Sequence, residues 1–98
     1  MHEHGFAKGL WPQLQRIAHR GGFRRVTRVD MTVGVLHGVS AEFLRHSFEH
    51  SFEGSNFEGA TMDITIVEPG DGIIPPGRSE PTMANGWELL ITRIEGEE

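Results

Sequence analysis

Cysteine is absent from this chain of 98 residues. No disulfide, zinc ribbon or thiol chemistry can therefore operate in it. Basic residues are scarce as well: 9 Lys and Arg against 14 Asp and Glu leave a formal charge of −5. Nucleic-acid binding needs a basic stripe that displaces phosphate counterions, and an anionic membrane surface needs similar charge, so neither partner is expected. No apolar run approaches the roughly 18 residues of a spanning helix. The opening Met1-His2-Glu3-His4-Gly5 lacks the basic-then-apolar pattern of a secretory leader. The expectation is a single cytoplasmic domain over residues 1–98. Walker and dinucleotide fingerprints are missing too. Ser40, Ser47 and Ser51 have His neighbours, but a triad is recognised only in space. No catalytic or cofactor-binding residue is assigned, and the chain is not read as an enzyme.

Glycine (13) and histidine (6) are plentiful, which directs attention to tight turns and metal sites. Phe6, Ala7, Leu10, Trp11, Leu14, Ile17 and Ala18 recur at steps of three and four, the period of a helix with one buried face. Gly21-Gly22 ends it. Pro12 requires either a kink or a helix that begins near Leu10. Residues Arg25 to Leu36 read as a strand, with Thr27, Val29, Met31, Val33 and Val35 on one face and Arg28, Asp30 and Thr32 on the other. Ser40 caps a second helix lined by Leu44, Phe48 and Phe52, with Phe43 beside them, and Gly54 stops it. A second strand covers Ala60 to Val67. Residues 68–86 hold four of the five prolines and read as a Pro/Gly-rich loop, in which Ile73, Ile74 and Met83 are either anchors for a partner or a flap over the core. Trp87 to Ile94 forms the last strand, followed by a solvated tail, Glu95 to Glu98.

The order α-β-α-β-β contains one β-α-β crossover, so the first two strands should run parallel. Both helices should cover the same sheet face, because the other is too polar. The fold expected is an α/β two-layer sandwich of two helices on a three-stranded mixed sheet.

Two places offer metal chemistry. At the N-terminus, the Met1 amine, a deprotonated amide and the His2 imidazole can close chelate rings around a divalent ion. The Glu3 amide can complete a square plane, which suits nickel(II) or copper(II). The bulk of His2 argues that Met1 is retained. Glu3 can alternatively serve as an outer ligand or orient the imidazole. A solvated, frayed terminus is the plain alternative. On the second helix, Glu42, His46 and His50 form one row at four-residue spacing, with Glu49 and Glu53 nearby. That row lacks a third ligand from elsewhere and the Glu after the first His that a metalloprotease uses, so a polar helix face is the simpler account. His19, near a helix end, and His37, in a turn, read as structural. Arg24, Arg25 and Arg28 read as a solvated basic cluster.

Several fragments then fall in a telling order: Met1-His2-Glu3 before a helix, Val26-Thr27-x-Val29, Gly34-x-Leu36-x-Gly38-Val39, Phe43-Leu44-Arg45, Phe48-Glu49 and Gly54-Ser55. Glu58-Gly59-Ala60-x-Met62-x-Ile64 and Glu88-Leu89-x-Ile91-x-x-Ile94-Glu95 complete the run. Over residues 1–67 and 87–95 the chain resembles the HypA/HybF family of nickel metallochaperones. The resemblance implies that Met1, His2 and Glu3 hold nickel(II) as transient cargo. It further implies delivery to a hydrogenase large subunit or other client enzyme during maturation, commonly beside a GTPase. Family members carry a zinc domain with two CxxC pairs between the second and third strands. Here that place is the cysteine-free loop, so no structural zinc is expected. His4 offers an extra imidazole, while Gly5, Gly9 and Pro12 loosen the helix that presents the site. The competing function is a metal-independent adaptor that kept the fold to dock on a partner enzyme. A monomer and a homodimer formed through a free sheet edge both fit.

Overall fold

The computed structural model describes residues 3–98. Helix α1 spans Glu3–Arg20, strand β1 Arg25–Gly34, helix α2 Ala41–Phe52 and strand β2 Thr61–Val67. Two short strands follow, β3 (Gly72–Ile73) and β4 (Thr82–Met83), and then β5 (Leu89–Glu97). The sheet order is β2-β1-β5, with β1 parallel to β2 and antiparallel to β5. This is the mixed three-stranded sheet expected, with the parallel pair joined through α2.

Helix α1 buries Ala7, Leu10, Leu14 and Ala18. It starts at Glu3 and runs through Pro12, so the alternative start near Leu10 is not what forms. Pro12 and Lys8 are both exposed. The Lys8 carbonyl that loses its i+4 donor therefore lies on the side open to water, where such a defect is least costly. In α2, Leu44, Phe48 and Phe52 are buried at the expected spacing. Phe43 is instead 56% exposed. The Ser40 hydroxyl accepts from the Phe43 amide at 3.4 Å, as a cap should.

All buried stripes meet in one core with Val26, Val29, Met31, Val33 and Met62. Phe57 joins from the turn after α2, its ring 4.9 Å from Trp11 and 5.2 Å from Phe52. The opposite sheet face is polar. Arg28 bonds Asp30 at 2.9 Å and Asp63 at 3.2 Å across neighbouring strands. Arg24 pairs with Glu97, and Arg25 reaches the Glu58 carbonyl, so the basic cluster is a wet, partnered surface.

Three expectations need correction. Strand β1 ends at Gly34, and Val35 to His37 form a short 3₁₀ turn. The register of β1 against β5 shifts between Val26 and Arg28. That bulge turns Val26 into the core and Thr27 out to solvent. Finally, Glu95 to Glu97 are strand rather than tail: Gly96 pairs with Val26 and Glu97 with Arg25. Gly96 fits there because a Cβ would collide with the Arg25 carbonyl.

The loop expected at residues 68–86 contains a minimal hairpin, Gly72 opposite Met83 and Ile73 opposite Thr82. Its base is fastened by backbone bonds between Gly70 and Ala84 (2.8 Å) and between Ala84 and Asp71 (2.7 Å). Where the chain returns to the sheet, Gly34 and Gly86 touch backbone to backbone. A Cβ on Gly34 would fall on the Gly86 carbonyl. Gly86 also adopts φ +90°, which favours glycine.

Candidate metal centre

Of the expected N-terminal ligands, Met1 and His2 lie outside the described residues. Glu3 is the first described residue and opens α1. It is only 7% exposed, although it carries a carboxylate. Its Oε2 accepts the Ser40 amide hydrogen at 2.9 Å. Ser40 is the residue before α2 and caps it with its own hydroxyl. The carboxylate thus sits at the N-terminal end of α2, where unpaired amides and the helix dipole favour a negative charge. One residue ties the beginnings of both helices together, across 37 positions of sequence.

The Glu3 carboxylate thus joins α1 to α2 and ties the first turn of one helix to the start of the other.

The wall beside this turn is aromatic. The half-buried His37 ring lies 5.2 Å from Phe6 of α1, edge to face, and 5.4 Å from Trp87, again edge to face. His37 Nε2 is 3.0 Å from the Trp87 carbonyl oxygen. Next to Trp87, Glu88 accepts from the Asn85 amide at 2.8 Å and from the Gly86 amide at 3.0 Å. The Asn85 amide, foremost, holds the Glu88 carboxyl below its ordinary value; the Gly86 amide and nearby His37 add to this.

The other candidates do not converge. His4 is exposed on α1. His46 faces Glu49 at 3.5 Å and Glu42 at 3.9 Å, whereas His50 turns to Glu53 at 3.0 Å. Among the described residues, no three His, Asp or Glu side chains are grouped to hold a metal ion. The His46–His50 row is a helix surface on which each imidazole faces a neighbouring carboxylate. Sequence reasoning missed the Ser40 partner of Glu3 and the Phe6–His37–Trp87 contact, because no local pattern announces a contact between distant segments.

Comparison with known proteins places these features in a context. Residues 1–70 match a family model described as hydrogenase/urease nickel incorporation, metallochaperone, HypA. A hydrogenase maturation factor HypA of Azorhizobium caulinodans is 36% identical over 70 residues, covering 71% of this chain and 61% of the relative. A hydrogenase maturation factor HypA of Azoarcus is also 36% identical, over 72 residues, covering 74% and 62%. The chain thus spans about three-fifths of the length of these relatives. The solution structure of the Ni metallochaperone HypA from Helicobacter pylori superposes with a TM-score of 0.72 at 17% identity, over 99% of this chain and 98% of that one. That likeness concerns the fold.

Proposed function

The chain belongs to the HypA family of hydrogenase and urease nickel-incorporation proteins, which are metallochaperones rather than enzymes, and from that membership we propose that it binds nickel(II) at Met1, His2 and Glu3. The Met1 amine and the His2 imidazole are the leading donors, and deprotonated amides of His2 and Glu3 complete a flat nitrogen set of the kind nickel(II) accepts. The cargo then passes to the large subunit of a nickel–iron hydrogenase during maturation, beside a GTPase partner, in the cytoplasm. No structural zinc takes part.

The observation that carries this reading is the anchored Glu3. Its carboxylate holds Ser40 at the start of α2, so the turn in which Glu3 stands is tied to the second helix. A chelate built on a fixed turn loses less conformational freedom on closing than one built on a frayed end. Metal binding must release protons from the donors, so affinity falls as pH falls.

Nickel titrated into the untagged, native-ended protein and into His2→Ala tests the assignment. The expected result is a large loss of affinity in the variant. Equal affinity in the two proteins overturns it.

A further inference from the structure

Both outer strands of the sheet leave one side of their backbone unpaired, and the two edges are built differently. The β5 edge is blunted. Its register against β1 shifts twice, and Glu95, Glu97 and Glu98 crowd its end. Bulges and charged side chains keep a further strand off an edge. The β2 edge carries neither device. Its seven residues pair with β1 in unbroken register from Thr61 to Val67. Asp63 is its one charge, and Arg28 holds it at 3.2 Å. Among the described residues, no turn or loop forms a backbone bond to the other side of the strand. Ile64 and Ile66, which pack towards the core, stay only half-buried.

We propose that β2 is a self-association edge: two copies pair antiparallel through it, about a two-fold axis at Ile64, and join their sheets into one of six strands. The strand's own pattern selects a second copy as occupant. An axis at residue 64 is the one that pairs all seven residues. It sets Ile64 opposite Ile64 of the second copy, Met62 opposite Ile66, Asp63 opposite Thr65 and Thr61 opposite Val67. Three apolar pairs then cover the half-buried side, and the two aspartates stay apart. An axis at residue 63 would set them face to face.

The charges beside the strand are complementary under the same axis. The groove between α2 and the edge is lined by Glu42 and Arg45 together with Met62, Asp63 and Ile64. An acid and a base therefore stand next to the residue on the axis. A two-fold interface uses the same patch on both copies, so Glu42 of each copy approaches Arg45 of the other, and the attraction occurs twice. In the single chain both side chains are open to solvent.

Sedimentation of the untagged full chain over a range of concentrations should show a monomer–dimer equilibrium. Glu42→Arg sets like charges across the axis and should weaken the dimer by about tenfold or more; adding Arg45→Glu should restore it. The chain has no cysteine, so one introduced thiol reports the register. Ile64→Cys should cross-link to its own copy on mild oxidation, since facing residues lie about 5 Å apart. Thr61→Cys should not, its two copies being about 20 Å apart. Because Glu42 and Arg45 lie on the surface, the charge reversals read the interface even where Ile64→Cys disturbs the fold. A chain that stays monomeric overturns the proposal. A dimer that ignores Glu42→Arg, or one that Thr61→Cys cross-links as readily as Ile64→Cys, forms through another surface and overturns it too. The nickel reading stands or falls separately, on the titration of His2→Ala.

Discussion

Fourteen buried apolar residues, from Ala7 to Met62, share one continuous core. From Glu68 to Gly86, only Ala84 and Gly86 are buried, while Ile74 is 58% and Met83 77% exposed. The two regions are held by different forces. The core is held by area removed from water and by close packing. The excursion is held by short polar turns: Asp71 accepts the Glu68 amide, Glu88 those of Asn85 and Gly86, and Asn85 that of Trp87. The family match covers residues 1–70 and stops where the second region begins. A core constrains its residues through many mutual contacts, whereas a turn-held excursion constrains only a few donors and acceptors. The length and content of the excursion can therefore change without touching the first turn of α1.

This contrast can be broken most forcefully in the core. Phe48→Ala empties a fully buried position that packs against Phe52 at 6.1 Å. Unfolding in urea should show a loss of about 3–5 kcal/mol. A loss below about 1 kcal/mol would mean that the core does not dominate.

At the foot of the excursion, acid should act locally. The carboxyl of Glu88 lies below its ordinary value in the folded chain. Its contribution is therefore fully present above the ordinary carboxylate value and is lost as pH falls through the lowered one. Protection of the Asn85 and Gly86 amides against exchange, relative to the unfolded chain at the same pH, should fall over that interval, ahead of that of the core amides. Glu88→Gln should remove the pH dependence; a profile unchanged by the substitution would reject this account.

The smallest effect belongs to the tip. Met83→Ser should leave unfolding free energy within about 0.5 kcal/mol of the native value. A greater loss, read from the same urea curves, would show that the hairpin covers core surface, and the contrast between the regions would weaken.

Much of the architecture was legible before any coordinates. The helix stripes at Leu10, Leu14, Leu44 and Phe48 and the Ser40 cap follow from local periodicity and local hydrogen bonding, which adjacent residues encode. The face assignment of Val26 and Thr27 was not legible, since a bulge exists only relative to a neighbouring strand. Glu95 and Glu97 read as a solvated tail, because charge says nothing about an edge strand that pairs with β1. Phe57 gave no periodic signal, since it packs from a turn.

For the site, the motif Met1-His2-Glu3 was visible as chelate chemistry and as a family resemblance. The long-range partners of Glu3 and His37 were invisible. Glu3 meets Ser40 across 37 residues, and His37 meets Trp87 across 50. By itself the sequence determined which segments become helix or strand and that thiols play no part. Those properties are written in nearest neighbours and in composition. Only the tertiary structure decided that the Glu3 carboxylate serves the start of α2, and that His37 stands fixed between Phe6 and Trp87. Such roles arise when distant segments of the chain are brought within hydrogen-bond and ring-contact distance by the burial of a shared core.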